Sequence, residues 1–195
     1  SGGNLNQGRS SLAGAGTQRA GLAFGGSSFP PLTRYNLSEE YNGSSWSEGN
    51  NLNTTRNSVA GCGTQTAGLG FGGYGGPVLT ATEEYDGSSW TNGGNLNTAG
   101  YDMGSLTEEY NGTSWTAGGA LNTARSGLAG SGIQTSALAF GGGPPSLAKI
   151  ATELYDGSSW ETSSPLASNH EAGAGGTASP SSASLAFGGG GNQAA

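Results

Sequence analysis

The feature that most constrains this chain is a nine-residue motif that occurs four times. Each copy reads Ser/Thr-Glu-Glu/Leu-Tyr-Asn/Asp-Gly-Ser/Thr-Ser-Trp, and all four tryptophans of the protein close a copy. The aromatic pairs are Tyr41 and Trp46, Tyr85 and Trp90, Tyr110 and Trp115, and Tyr155 and Trp160. An Asn-Gly or Asp-Gly pair between aromatic residues favours a tight β-hairpin, since both central residues of a type I′ turn need positive φ. We therefore predict four aromatic hairpins.

A second motif alternates with the first and ends in Gly-Gly pairs. These pairs occupy residues 25–26, 72–73, 141–142 and 188–189. In the run before the first pair, Leu22 and Phe24 would lie on one face of a strand and a small residue on the other. Stretches of small residues precede three of these runs, at 12–16, 59–63 and 128–132, and predict a further strand each. The Gly-Gly pair is expected where other residues would be strained.

Together the two motifs define a repeat of four strands in roughly 45 residues. The predicted repeats cover residues 3–49, 50–94, 95–119, 120–164 and 165–195. The third repeat lacks its first strand pair, either by natural reduction or because residues are missing, and the fifth has only its first half. Sixteen strands are expected. A period in the forties with four strands per repeat is typical of a β-propeller blade.

The order Arg, small-residue strand, Gly-Gly, Tyr, Trp is similar to that of kelch repeats. The resemblance implies an all-β protein, a β-propeller of kelch-like four-stranded antiparallel blades. About four to five blades would be represented, with the third truncated. Residues 1–195 would form one such domain or part of one. The Tyr–Trp spacing is tighter than in the usual kelch pattern, and this tight variant resembles repeats of marine phage and environmental bacterial proteins.

Composition excludes several classes of function. The chain has 195 residues, of which 40 are Gly, and its net charge is −7 with only six basic residues. A nucleic-acid partner is not expected, because phosphate binding needs clusters of Lys and Arg. No apolar run approaches the length that membrane insertion requires, and no signal peptide is visible. The chain starts without Met inside a repeat, so we expect a processed, tagged or partial product.

Three arginines, Arg9, Arg56 and Arg125, recur four residues after a Leu, with Gly100 and His170 in the same slot of the other repeats. A ring of guanidinium groups could bind a carboxylate or a sulfated sugar. The favoured interpretation is structural: each Arg would fix blade to blade through carbonyl groups or a neighbouring Glu.

The acidic pairs and the tryptophans also allow a functional and a structural interpretation. The pairs at 39–40, 83–84 and 108–109 should point to opposite faces of a strand, so they cannot form an acid/base couple. We expect solvated charges that protect sheet edges, and neither catalysis nor calcium binding. The tryptophans could stack on sugars, but packing between sheets is favoured because every copy carries one. Cys62 takes the slot of Ala15 and Ser131 and is predicted to be a buried small residue.

Recognition is predicted to lie in the loops that vary between repeats. The candidate ligand-binding residues are Phe29, Tyr74 and Pro144. Glycosylation sequons at Asn42 and Asn111 follow from the hairpin motif and are treated as incidental. With one histidine, His170, the chain lacks the ligands of a copper radical oxidase and a convincing Ser–His–Asp triad. No catalytic residue, metal or cofactor is predicted.

The predicted function is therefore a non-enzymatic structural and binding module that displays loops for adhesion or assembly. A phage fibre, virion surface or extracellular filament is the expected location. The expected partners are other protein subunits, including further copies of the chain. A carbohydrate-binding, lectin-like propeller that holds a cell-surface glycan is the alternative, and a non-catalytic part of a glycan-active enzyme is a third possibility.

Overall fold

The computed structural model describes residues 2–100, 107–143 and 150–169, and the backbone of residues 174–175 and 186–187. These residues form β-strands, turns and loops and no α-helix. By its contacts the chain divides into two compact units. One comprises Ser1–Tyr101 and Tyr110–Trp115, and the other comprises Asp102–Glu109 and Thr116–Ala195.

The first compact unit contains two four-stranded antiparallel sheets. Its strands are β1 (Ala13–Thr17), β2 (Ala20–Phe24), β3 (Ser27–Ser28), β4 (Thr33–Arg34), β5 (Ser38–Tyr41), β6 (Trp46–Glu48), β7 (Ala60–Thr64), β8 (Ala67–Phe71), β9 (Thr82–Tyr85) and β10 (Trp90–Asn92). The first sheet has the order β1-β2-β5-β6, and the second has the same order, β7-β8-β9-β10. The ribbon β3-β4 lies in the loop between β2 and β5.

The remaining strands belong to the last three repeats. They are β11 (Glu108–Tyr110), β12 (Trp115–Ala117), β13 (Ala129–Ile133), β14 (Ser136–Phe140), β15 (Thr152–Tyr155), β16 (Trp160–Thr162), β17 (Ala174–Gly175) and β18 (Ala186–Phe187). The sheet β13-β14-β15-β16 lies in the second compact unit, where the two-stranded sheet β17-β18 contacts it through β13 and β17. The pair β11-β12 is a two-stranded hairpin.

These strands confirm the predicted all-β class and the four-stranded antiparallel sheets. All sixteen predicted strands are present, and the ribbon β3-β4 adds two that the sequence did not reveal. The third repeat consists of the hairpin β11-β12 alone in the part of the chain that is described. That the whole chain forms a single domain stays a prediction.

The core of the first compact unit lies between its two sheets. Leu22 and Phe24 are 1% and 0% exposed, and they pack with Val59, Tyr85 and Trp90. The rings of Phe24 and Trp90 lie 4.8 Å apart, between centroids. Alternation along β2 explains this arrangement, because it directs Leu22 and Phe24 to the same face. Burial of these large apolar side chains stabilises the packing of the two sheets.

The hairpin turns differ from the predicted type I′. In the first hairpin Tyr41 pairs with Trp46, so the loop contains four residues rather than two. Only Gly43 has positive φ there, at 95°, and the same holds for the glycine of the other three turns. The preceding Asn42 instead accepts backbone N–H groups of Ser44 and Ser45 with its side-chain oxygen, at 3.0 Å each. These hydrogen bonds form an Asx turn, which stabilises the loop with only one residue of positive φ.

Three of the four Gly-Gly pairs directly follow the second strand of their repeat, as expected, and the pair at 188–189 lies outside the described residues. Gly25 and Gly26 have φ values of 67° and 100°. A Cβ on Gly26 would lie 2.8 Å from the carbonyl oxygen of Ser10, on a segment that pairs with the residue after the glycines. Both the backbone conformation and the close approach therefore require glycine at this position.

The prediction for Cys62 was wrong, because this residue is exposed. It lies on β7, the edge strand of the second sheet. The equivalent strands β1 and β13 are contacted by the first strand of the following repeat, β7 and β17 respectively. The described residues of the third repeat contain no such strand to cover β7. The equivalent residues differ among themselves: Ser131 is buried and Ala15 is half-buried.

Candidate functional site

Three buried Arg–Glu pairs recur in the same place in the repeats. Arg9 pairs with Glu39, Arg56 with Glu83, and Arg125 with Glu153, and all six side chains are at most 2% exposed. Each arginine comes from the segment before the first strand of its repeat, and each glutamate from the third strand. The ion pair therefore joins two parts of one repeat, not one blade to the next.

Carbonyl oxygens also accept hydrogen bonds from each guanidinium, while the buried Nε atoms of Arg56 and Arg125 have no partner among the described residues. Arg56 donates from Nη1 to the carbonyl oxygens of Gly72 and Ala81, at 3.1 and 2.7 Å. Arg9 donates from Nε to the carbonyl of Gly25 at 2.8 Å. Because the three guanidinium groups are enclosed and paired with a glutamate, they do not form a ring open to a carboxylate or sulfated sugar in the described part of the chain. The expected hydrogen bonds to carbonyls and to a Glu are observed.

The glutamates of these pairs are buried, so the prediction of solvated edge charges was wrong for them. Glu39 and Glu83 are 1% and 0% exposed. Burial raises the pKa of Glu39, but the guanidinium of Arg9 and backbone N–H groups of Asn6 and Gln7 outweigh it, so the pKa lies below its usual value. The sequence did not reveal these ion pairs, because each arginine lies some 30 residues before its glutamate.

A recurring asparagine, which the sequence analysis did not single out, holds the same segment. Asn6, Asn53, Asn97 and Asn122 each donate a side-chain N–H to the backbone carbonyl of the tryptophan in their own repeat, at 2.7–3.1 Å. The signal for it is a Leu-Asn pair at a fixed distance before the arginine slot. The same Leu marks the arginine position, so the Asn beside it repeats with the same period.

The second glutamate of each acidic pair contacts the next repeat. The hydroxyl of Tyr85 donates to Glu40, that of Tyr110 to Glu84, and that of Tyr155 to Glu109. Burial and the hydrogen bond from Tyr110 to Glu84 raise the pKa of that tyrosine. As predicted, the adjacent glutamates of the first two repeats point to opposite faces: one binds an arginine of its own repeat and the other a tyrosine of the following repeat.

The tryptophans make a second contact between consecutive repeats. The indole N–H of Trp90 donates to the hydroxyl of Ser38 at 3.4 Å, and that of Trp115 to Thr82 at 2.9 Å. In the second compact unit, Trp160 donates to Thr107 at 3.1 Å. In each case the acceptor stands two positions before the glutamate that binds the tyrosine hydroxyl.

Burial of the tryptophans is unequal. Trp90 and Trp115 are 5% and 8% exposed, as expected for packing residues, whereas Trp46 and Trp160 are half-buried. Phe24 packs on Trp90 and Phe71 on Trp115, at 4.8 and 4.9 Å between ring centroids. The described residues of the third repeat contain no inner strand that could supply such a phenylalanine to Trp160. Trp46 and Trp160 are therefore less buried than the packing role expected of every copy implies.

Two of the three loop candidates lie in the described structure. Phe29 is 82% exposed and Leu32, in the same loop, is 54% exposed. Tyr74 is half-buried, and the guanidinium of Arg34 lies 4.8 Å from the centroid of its ring. Arg34 also donates to the side chain of Asn57 at 3.0 Å. Arg34 thus joins the loop after β2 to the loop after β8 by stacking, and to the segment before β7 by a hydrogen bond. Pro144 lies outside the described residues.

The described parts of the chain contain no group of three or more His, Cys, Asp or Glu residues that could hold a metal ion. No helix in the same residues could cross a membrane. His170, the residue on which a catalytic triad would depend, lies outside the described residues.

A scan of protein-family models and a search of curated proteins returned no match to this chain. The repeated contacts within and between its sheets are therefore the basis for a functional assignment.

Proposed function

We propose that this chain is a non-enzymatic, kelch-like β-propeller module that displays its variable loops for adhesion or assembly. One observation carries the proposal. In the repeats, the arginine, glutamate, tyrosine and tryptophan side chains that a catalytic or binding site could use are engaged in contacts within and between the sheets. Arg56 and Glu83 bind each other and the backbone, and Tyr85 and Trp90 bind the sheet before them.

The same contacts argue against the lectin-like alternative at the tryptophans. A sugar-binding platform needs an indole face open to solvent, but the rings of Trp90 and Trp115 are packed against phenylalanines. Their N–H groups are also committed to hydroxyl acceptors. A ligand, whether a protein or a glycan, would have to bind away from these two tryptophans.

The loop after β2 is the best-supported recognition surface. Phe29 and Leu32 are large apolar residues with more than half of their surface exposed, at the end of the ribbon β3-β4. Exposed apolar side chains of this size are typical of contact sites when they occur together. The ribbon, together with the contacts of Arg34 to Asn57 and Tyr74, fixes the base of this loop. Such a fixed loop lowers the entropy cost of binding.

Loop substitution tests this proposal. A variant with Phe29→Ser and Leu32→Ser should lose adhesion to cells or binding on a glycan array, with unfolding midpoints close to the original. The matched control is Ile133→Ser, which removes another exposed apolar side chain, 50% exposed, away from the loop. Undiminished binding by the loop variant, including one with Tyr74→Ser added, would place the recognition surface elsewhere.

Assembly with other subunits is the second part of the proposal. In the residues that the structure describes, the third repeat presents its hairpin without an inner strand pair. Unpaired strand edges favour association with another chain. An extracellular filament or a virion surface is the location that fits such a module. Native mass spectrometry of the 195-residue chain should show oligomers, and a monomer at all concentrations would contradict this part.

A further inference from the structure

Three Asn-Gly pairs occur in the chain, at residues 42–43, 92–93 and 111–112. Asparagine deamidates most readily before glycine, because glycine has no Cβ to shield its own backbone nitrogen. That nitrogen attacks Cγ of the asparagine, its proton leaves with the amide group as ammonia, and a five-membered succinimide forms. Water then opens the ring at either carbonyl and gives aspartate or isoaspartate. The structure places the three pairs in different surroundings.

The surroundings of Asn92 oppose this reaction. Strand β10 ends at Asn92, and the backbone N–H of Gly93 donates to the carbonyl oxygen of Thr82 at 2.9 Å. The side-chain oxygen of Asn92 accepts a hydrogen bond from Asn53 at 3.3 Å. The attacking nitrogen is therefore held in the sheet, and the reaction would have to break the pairing at the end of this strand.

The other two pairs lie in exposed hairpin turns. Their asparagines and glycines are all exposed, and the backbone N–H of Gly43 and that of Gly112 donate to no described residue. In both turns the side-chain oxygen of the asparagine accepts two backbone N–H groups, at 3.0 Å each for Asn42 and 2.9 Å each for Asn111. The attacking nitrogen is thus free in both turns, and the difference between them lies in other contacts.

The side chain of Asn42 is held by more hydrogen bonds than that of Asn111. Its oxygen also accepts the hydroxyl of Ser44 at 2.8 Å, and its amide nitrogen, the leaving group, donates to the hydroxyl of Ser45 at 3.3 Å. Among the described residues, Asn111 has neither bond. Two further hydrogen bonds must therefore break before Cγ of Asn42 can turn towards the glycine nitrogen.

The turn of the third repeat also lacks a contact that complete repeats make. A Cβ on Gly43 would lie 3.5 Å from the carbonyl oxygen of Arg19, between β1 and β2. A Cβ on Gly87 would lie 3.1 Å from the side chain of Thr66, between β7 and β8. A Cβ on Gly112 would have no described atom within 4 Å, because the described residues of this repeat form only the hairpin. This turn is therefore free to change its backbone conformation.

We propose that Asn111 is a site of spontaneous deamidation, with water as the co-reactant, and that its turn changes from Asn-Gly to Asp-Gly over time. The aspartate product already occupies the same turn in two other repeats. Asp86 accepts two backbone N–H groups at 2.7 Å each, and Asp156 accepts two at 2.8 Å each. Conversion to aspartate therefore adds a negative charge and keeps the turn. This inference does not depend on the proposed adhesion.

Isoaspartate, the second product, has the opposite effect. Its main chain runs through the side-chain methylene group, so the turn gains a backbone atom. The oxygen that accepted the N–H groups of Thr113 and Ser114 is then lost from its position. Tyr110 and Trp115, on either side of the turn, donate hydrogen bonds to the second sheet. The isoaspartyl form should therefore weaken the contact between the second and third repeats.

The rates of the three sites test the proposal. The folded chain is incubated at mildly alkaline pH, and peptide mapping by mass spectrometry follows the conversion of each amide to an acid. Asn111 should react about threefold to tenfold faster than Asn42, the effect of one neutral hydrogen bond or more, and Asn92 should be slowest. Equal rates at Asn111 and Asn42, or faster reaction at Asn42 or Asn92, would overturn the proposal.

The unfolded chain is the matched control for local sequence. In urea, Asn42 and Asn111 should react at similar rates, because both pairs follow a tyrosine and precede a hydroxyl residue. A difference that persists in urea would show that the fold does not select the site, and the proposal would fail.

Two variants test the physical basis of the difference. Ser45→Ala removes the acceptor of the amide nitrogen of Asn42 and should speed deamidation there, while Ser47→Ala, on the neighbouring strand, should not. Asn111→Asp should unfold at the same temperature as the original chain. The isoaspartyl form, identified by an isoaspartyl methyltransferase, should unfold at a lower temperature. An unchanged rate at Asn42 in Ser45→Ala, or a destabilised Asn111→Asp, would contradict the roles given to these contacts.

Discussion

At the scale of single residues, position within the alternation of a strand decides what each side chain does. Glu39 and Glu40 are neighbours in sequence, yet one is enclosed with Arg9 and the other accepts the hydroxyl of Tyr85. The same glutamate type thus serves the interior of a repeat and the junction with the next one. This division follows from the two-residue period of a β-strand.

Trp90 should be the most sensitive aromatic residue. It is buried, packs on Phe24 and Tyr85, and donates to Ser38. Trp90→Ala should cost about 3–5 kcal/mol in the free energy of unfolding, measured by urea denaturation. Trp46→Ala, at a half-buried site, should cost clearly less. Equal losses for the two variants would show that packing between sheets does not determine the effect.

The buried ion pair of Arg56 and Glu83 gives a second prediction at this scale. Arg56→Leu leaves a carboxylate buried without its partner and should destabilise the protein by about 3–5 kcal/mol. The double variant Arg56→Leu with Glu83→Leu removes both charges, so part of this loss should be regained. Thermal unfolding of the three proteins measures the difference. A double variant less stable than the single one would mean that the pair itself is strongly stabilising.

At the scale of elements, the aromatic hairpin is defined by its Asx turn. Asp86 accepts two backbone N–H groups at 2.7 Å, as Asn42 does in the first hairpin. Hydrogen bonds from the side chain of Ser88 and from the backbone of Ser89 and Ser88 lower the pKa of Asp86 to about 2. The Ser-rich sequence after the glycine is therefore part of the turn.

This turn predicts a dependence on acid. A carboxyl group whose pKa is lower in the folded state stabilises the fold above its unfolded pKa, and that contribution is lost as the pH falls through the folded pKa. For Asp86 and Asp156, both with a pKa of about 2, the loss should extend from near pH 4 down to pH 2. Asp86→Asn should fold normally and flatten this dependence, measured by unfolding midpoints. A variant as acid-sensitive as the original would contradict the assignment.

The comparison of sequence and structure is most informative at this scale. The strands and their order followed from the alternation of large and small residues and from the repeat itself. The turn type did not, because Asn-Gly is compatible with a two-residue and a four-residue loop, and the hydrogen bonds of Ser44 and Ser45 decide between them. The partners of Arg9 and Glu39 were also beyond the sequence, since the two are 30 residues apart. The exposure of Phe29 supports the prediction that its loop is a recognition surface.

At the scale of the whole molecule, the same few contacts are used again from repeat to repeat. Three tyrosines, Tyr85, Tyr110 and Tyr155, each donate a hydroxyl hydrogen bond to a glutamate of the preceding repeat. Burial is the first cause that raises the pKa of Tyr85 and Tyr110, and the hydrogen bond to Glu109 is the first for Tyr155.

These tyrosines predict a loss of stability in alkali. A group whose pKa is raised on folding stabilises the fold below its unfolded pKa, and this contribution is lost as the pH rises through the folded value. Stability should therefore be steady up to about pH 10 and fall above it. Tyr85→Phe should be less stable at neutral pH but less sensitive to alkali, as followed by circular dichroism. An unchanged alkaline slope in this variant would rule out the tyrosine contacts as its source.

The repeated hydrogen bonds of tyrosine and tryptophan between consecutive repeats also affect how such a chain can evolve. Each repeat offers its neighbours the same two surfaces, so a duplicated or deleted stretch of one period leaves matching surfaces at the new junction. The third repeat illustrates this tolerance: its described residues form only the hairpin, yet it donates to Thr82 through Trp115 and accepts from Trp160 through Thr107. Genes for such proteins can therefore gain and lose repeats by unequal recombination while each intermediate still folds, and repeat number becomes a heritable variable under selection.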